Sequence, residues 1–206
     1  GTLPADVDAL GVDLLSLSGH KPYGPKGDGA LYVRRGTRLQ PVLHGGGQER
    51  RLRSGTENVP GIVGLGAAMT LAAEQLPEVR PRLERLRDRL ASGVLDRVPE
   101  VTLLGHPAER LPGSVAFSVR YIEGESMLLQ MDAQGFMVSS GSACASGSLE
   151  PSHVVLALGL GAEEAHGSMR ISLGRENTVD EVDAFLEAFP PVVDKLRQMS
   201  PLYVKG

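Results

Sequence analysis

The 206-residue sequence predicts a mixed α/β fold in two parts: a piece of an α/β layer, then a small α+β module with an antiparallel sheet. Three observations predict it. Two short apolar strands flank a Pro/Gly-rich turn near the start. A long stretch rich in Ala, Gly and Leu follows and stops at prolines. Beyond it, strands and helices mix without regular βαβ order.

Each element has its own signal. Val12 to Leu17 is mostly apolar and reads as a buried strand; Gly29–Val33 reads as its neighbour. Gly45-Gly46-Gly47 is a loop with little steric restriction. Asn58 to Leu76 carries almost no charge and reads as a helix buried on most sides. Pro77 and Pro81 mark a break, which divides the chain into residues 1–76 and 77–206.

In the second part Leu83, Leu86, Leu90, Val94 and Val98 recur at helical spacing. Arg82, Arg85, Arg87 and Arg89 between them read as a solvated face paired with Glu84 and Asp88, in preference to a nucleic-acid patch. Strands are expected near Val101–Leu104, Ser114–Val119 and Phe136–Ser139, with a helix from Glu123 to Gln134. Val154–Leu158 reads as helical and Ser168–Leu173 as a strand. Thr178-Val179-Asp180-Glu181 is a capping-box pattern. It opens a C-terminal helix that Pro190-Pro191 should kink or split.

Composition narrows the function. A net charge of −4 argues against a general nucleic-acid binder. No apolar run is seen to approach the ~20 residues that span a bilayer, so no membrane role is expected. No signal-peptide pattern opens the sequence. One cysteine cannot form an internal disulfide, which suits a reducing, cytoplasmic setting.

The most informative run is Ser18-Gly19-His20-Lys21-Pro22-Tyr23-Gly24. An apolar strand ends there in a hydroxyl, an imidazole and an amine, and Pro and Gly then force a turn. A lone lysine after a strand is ordinarily a solvated loop residue. This one stands beside groups suited to a phosphate, and an amine forms a Schiff base with a carbonyl. Pyridoxal 5'-phosphate (PLP) carries both a phosphate and a carbonyl.

Cys144 lies in Ser139-Ser140-Gly141-Ser142-Ala143-Cys144-Ala145-Ser146-Gly147-Ser148. A lone cysteine is ordinarily a buried, inert hydrophobe. These small neighbours offer nothing large to bury and no strong secondary-structure preference, so the segment reads as a flexible, wet loop. A thiol in that setting reacts to the extent that it is thiolate. Arg170 interrupts the apolar-leaning strand Met169-Arg170-Ile171-Ser172-Leu173. Alternation allows it to be a plain outward-facing residue; a guanidinium is also well shaped to grip a carboxylate with two hydrogen bonds. His44, His20 and Cys144 lack the usual zinc spacings, and Gly24-Pro25-Lys26-Gly27 lacks the ending of a phosphate-binding P-loop.

These segments resemble the cysteine desulfurases, the class V branch of the fold-type I PLP enzymes. The match runs through the Lys21 segment, Gly29-Ala30-Leu31-Tyr32-Val33-Arg34-Arg35, His44-Gly45-Gly46-Gly47-Gln48-Glu49-Arg50 and Arg53-Ser54-Gly55-Thr56. It returns at Ser139 to Cys144, Leu149-Glu150-Pro151-Ser152 and Arg170-Ile171-Ser172-Leu173-Gly174-Arg175. The resemblance implies a partial fold-type I large domain with an incomplete central sheet over 1–76, and a small C-terminal domain carrying the cysteine loop over 77–206. It implies that Lys21 binds PLP covalently and moves the Cα proton, and that Ser18 and His20 contact the phosphate. Thr56 would reach the phosphate of a neighbouring subunit in a homodimer. Arg170 would hold the α-carboxylate of L-cysteine. Cys144 would take the sulfur as a persulfide and pass it to an acceptor or iron–sulfur scaffold protein, leaving L-alanine.

Chains of that family are about twice as long, with the lysine near their middle. The expected missing half supplies the aspartate on the pyridine nitrogen, the histidine stacked on the ring and a Gly-Thr turn for the phosphate. The sequence is thus expected to be a fragment, one piece of a split protein or a truncated product. Two other readings stay open: another class V enzyme, such as an aminotransferase or a selenocysteine or cysteine-sulfinate lyase, and a catalytically empty homologue acting as a binding or scaffold module. A transaminase has no use for a thiol on a loop, so Cys144 discriminates against it.

Overall fold

The computed structural model describes residues 1–140 and 151–203. The chain divides into two compact units, Gly1–Glu78 and Val79–Gly206. The mixed α/β character expected from the sequence is present in the element order.

In the first unit, β1 (Leu14–Ser18) and β2 (Gly29–Val33) form an antiparallel ribbon with Leu14 opposite Val33 and Ser18 opposite Gly29. The Lys21 turn therefore joins two paired strands. No residue of β1 is buried, contrary to the expectation of a buried strand. A two-stranded ribbon has no covering layer of its own, so an apolar sequence need not become a buried one. Arg34 secures the open end of the ribbon. Its guanidinium donates to the Val12 carbonyl at 3.1 Å and the Val7 carbonyl at 3.0 Å, and pairs with Asp8 at 2.7 Å.

The helix α1 runs from Val59 to Arg97, through both Pro77 and Pro81, so the expected break is absent. Each proline removes one backbone donor and crowds the preceding turn. Burial offsets that cost further along: Leu83, Leu86, Leu90 and Val94 are almost completely buried and hold the C-terminal half in place. In the first unit, only Gly61, Leu65 and Ala68 of α1 are buried, one stripe at helical spacing, against the expected burial on most sides. By length and composition alone, α1 is long and apolar enough to cross a membrane. Counting uninterrupted apolar residues misses this, because Gly and Thr punctuate the stretch.

The second unit is a three-stranded antiparallel sheet ordered β3 (Val101–Leu103), β4 (Ser114–Val119), β5 (Ser168–Ser172). One face packs on the C-terminal half of α1, on α2 (Gly124–Asp132) and on α5 (Val179–Met199), around Phe117, Phe189, Met127, Met131 and Met169. The other face carries a smaller cluster of Leu104, Val155 and Ala165, from β3's end, α3 (His153–Leu156) and α4 (Ala162–His166). The helix α4 had no counterpart in the sequence reading; five residues are too few for a period to show. Phe136–Ser139 is no strand, and only Ser139 bridges, to Arg170.

Thr178 and Glu181 form the expected capping box: the Glu181 N–H donates to Thr178 Oγ1 at 3.2 Å and the Thr178 N–H to Glu181 Oε2 at 2.9 Å. Pro190 and Pro191 lie inside α5 without splitting it. Pro190 cannot bond the Leu186 carbonyl one turn back, and Arg97 Nη1 donates to that carbonyl instead, at 3.0 Å. Buried Phe189, Val192 and Val193 anchor the helix on both sides of the prolines. The arginine face of α1 is solvated only in part. Arg87 is buried beside Asp88 and Arg82 donates to the Asn177 carbonyl at 2.9 Å, while Arg85 and Arg89 are exposed, Arg89 pairing with Asp183 at 2.6 Å.

Candidate active site

β1 delivers three chemically distinct side chains to one strand end. Ser18 is its last residue, and its hydroxyl lies 3.1 Å from His20 Nδ1. When the hydroxyl donates to Nδ1, the ring proton sits on Nε2, free to donate outward. Lys21 follows, its N–H bonded to the Ser18 carbonyl at 3.2 Å. All three side chains are exposed at the strand end.

Gly19 separates the hydroxyl from the imidazole and is itself buried. Its N–H donates to the Asp28 carbonyl at 2.8 Å, and its carbonyl accepts from Gly24 N–H at 2.9 Å. A Cβ there would come within 2.9 Å of the Asp28 carbonyl oxygen and 3.0 Å of the Pro25 carbonyl oxygen. Glycine is what lets the turn close back on itself under the lysine. Tyr23 in the same turn has a φ of 65°, the left-handed region that non-glycine residues rarely occupy. Thr56 is exposed in the segment that leads into α1.

The donor set fits a group bearing a phosphate and an aldehyde. A hydroxyl and an imidazole are phosphate partners, and a primary amine is the aldehyde's partner.

In the second unit Arg170 sits in β5 opposite Ala116 of β4, while its neighbours Met169 and Ile171 are buried in the main core. Its side chain therefore lies on the face of the smaller cluster. Its Nε is buried with no hydrogen-bond partner among the described residues. A buried guanidinium N–H without an acceptor is costly, and a carboxylate is its natural complement. Plain outward-facing placement in solvent does not describe it. Cys144 lies outside the described residues. The described part of its segment ends at Ser140, just after Ser139 pairs with Arg170.

Sequence reasoning missed Arg34, Asp28 and Asn58. Asn58 had a signal: an Asn immediately before an apolar helical run is a capping residue. Asp28 and Arg34 had none, since their partners are distant in sequence.

The fold and these residues define a class. An aminotransferase class-V family model matches residues 1–185, and the chain belongs to that family. Among its relatives, a cysteine desulfurase IscS of Methanosarcina thermophila is 56% identical over 205 residues, covering 100% of this chain and 50% of the relative. A cysteine desulfurase IscS 1 of Archaeoglobus fulgidus is 52% identical over 98% of this chain and 53% of its own length. Among solved structures, a NifS-like protein from Rickettsia africae superposes with a TM-score of 0.84 at 35% identity, covering 94% of this chain and 51% of that one. The chain thus spans about half the length of the curated relatives it matches, and its fold is part of a fold-type I PLP fold.

Proposed function

We propose that this chain is the C-terminal half of a PLP-dependent cysteine desulfurase. It takes L-cysteine, leaves L-alanine, and holds the sulfur on Cys144 as a persulfide for an acceptor protein, an iron–sulfur scaffold foremost. The observation that carries this reading is the convergence of Ser18, His20 and Lys21 at one strand end.

When bound, the cofactor withdraws electrons from the substrate's Cα. Lys21 Nζ would hold its aldehyde until the substrate amine takes that place, and the freed lysine amine would then take the Cα proton. Ser18 and His20 would hold the phosphate, with Thr56 reaching a second subunit of a cytoplasmic homodimer. Arg170 would orient the substrate by its carboxylate, using an Nε donor that has no acceptor among the described residues. The Cys144 thiolate attacks the substrate sulfur. A sulfur–sulfur bond forms as the carbon–sulfur bond breaks; the carbon keeps that electron pair and takes a proton, and a proton returned to Cα leaves alanine.

A chimera tests this, with the N-terminal half of the Methanosarcina thermophila relative fused ahead of these 206 residues. Given PLP and L-cysteine, it should release alanine and gain the mass of sulfur on the Cys144 peptide. Transamination without sulfur transfer would favour a class V aminotransferase and overturn the reading.

A further inference from the structure

The turn that carries Lys21 is seated on the start of α1, and Asp28 makes both links. Its carbonyl accepts the Gly19 N–H at 2.8 Å, and its carboxylate accepts the Asn58 side-chain amide at 2.8 Å. Asn58 also opens α1: its carbonyl accepts the Ile62 N–H at 2.9 Å and its side-chain oxygen the Gly61 N–H at 3.4 Å. One side chain therefore caps the helix with its oxygen and holds the lysine turn with its nitrogen.

The helix face beneath is bare where the turn rests. Gly61 lies so close to the Asp28 carboxylate that a Cβ would overlap it, and a Cβ on Gly64 would meet the Pro25 ring. A Cβ on Gly24 would come within 3.1 Å of Ala68 Cβ. Gly66 on the same helix has nothing within 4 Å of a built Cβ, so the bareness is not a general property of the helix.

We infer that Asp28, Asn58 and Gly61 are positioning residues for Lys21, latching its turn to the first turn of α1 and fixing where the amine leaves β1. The inference rests on Lys21 being the cofactor lysine, as proposed above. They act through the backbone of Gly19, whose N–H the Asp28 carbonyl accepts. The helix start is a sound anchor, because moving the latch also uncaps α1. Thr56, the residue proposed to reach a phosphate, stands two residues before Asn58.

The test compares Asn58→Ser with Gly66→Ala. Serine keeps the cap, since its hydroxyl accepts from the helix N–H groups, but loses the donor to Asp28. In the 206-residue chain, amide hydrogen exchange at Gly19 should rise about fivefold in Asn58→Ser, the factor for losing one hydrogen bond of ~1 kcal/mol. In the PLP-loaded chimera, borohydride trapping on Lys21, measured against Lys26, should fall on the order of tenfold, within what a ~1 Å misplacement produces. Gly66→Ala should change neither. Gly61→Ala, which drives the Asp28 carboxylate away, should repeat the Asn58→Ser result. Unchanged Gly19 exchange, or raised exchange with unchanged Lys21 trapping, overturns the latch. Trapping on another lysine in the unmutated chimera overturns the functional reading instead.

Discussion

Ser139 and Arg170 are joined by both of their backbone hydrogen bonds: the Arg170 N–H reaches the Ser139 carbonyl at 2.6 Å and the Ser139 N–H the Arg170 carbonyl at 3.0 Å. The strand that bears the carboxylate-binding candidate is thereby stitched to the segment that leads to Cys144. Four residues, Ser140 to Ala143, lie between Ser139 and Cys144 in the sequence.

Arg170 should separate stability from activity. In the chimera, Arg170→Ala should cost on the order of 1.5–3 kcal/mol in kcat/KM for L-cysteine, the loss of a charge-assisted contact. Arg170→Lys should recover only part, since a point charge cannot replace the planar fork. Arg170→Met, which removes the orphaned Nε, should leave the melting temperature unchanged or raise it. A large fall in melting temperature would show that the arginine is structural.

Cys144→Ser should abolish sulfur release and the persulfide mass while leaving Lys21 labelled by PLP and borohydride. Hydroxyl and thiol are similar in size, but only the thiolate is a sulfur acceptor. Sulfide or alanine release retained in that variant rejects the role.

Arg97 and Pro190 should be coupled. Arg97→Ala leaves the Leu186 carbonyl without its donor and should destabilise the 206-residue chain by ~1 kcal/mol in chemical denaturation. With Pro190→Ala present, a helical N–H returns to that carbonyl and the cost should shrink. Additive effects of the two changes would contradict the pairing.

The start of α5 should weaken in acid. The side-chain amide of Asn177, and then the Thr178 N–H, hold Glu181 below the usual carboxylate range; the Arg89 guanidinium does the same for Asp183. A carboxylate lowered in the folded state binds fewer protons than in the unfolded state. Its stabilisation is complete above the ordinary range near ~4 and is lost as pH falls through the lowered folded value. Amide exchange at Glu181 and Val182 should rise over that acid window. Thr178→Ala with Glu181→Gln should flatten the dependence.

Strands and caps were legible because their signals are local. Gly29–Val33, Ser114–Val119 and the Thr178–Glu181 box stand where short-range patterns place them. The prolines of α1 and α5 misled, because their cost is set against burial of Leu83, Leu86 or Phe189, which local propensity does not see. The lysine turn was legible as chemistry, in Ser18, His20 and Lys21. Its support by Asp28 and Asn58, 30 positions apart, was not. Burial of Arg170's Nε was equally invisible, since alternation states only which face a residue takes.

The 206-residue chain alone should not turn over L-cysteine. It carries the candidate lysine, thiol and carboxylate arginine, but no residue matched to the carboxylate expected on the pyridine nitrogen. Incubation with PLP and L-cysteine should yield no alanine. A rate of ~1 s⁻¹ or faster would show that the rest of the relatives' length is dispensable.

The central claim is that Lys21 is the cofactor lysine, and one peptide map tests it most directly. The chimera is loaded with PLP, reduced with borohydride, digested and mapped by mass. The account predicts the pyridoxyl group on Lys21, abolished by Lys21→Ala and indifferent to Lys26→Ala. A pyridoxyl group on Lys26, on Lys195, or on no lysine of this chain would contradict it.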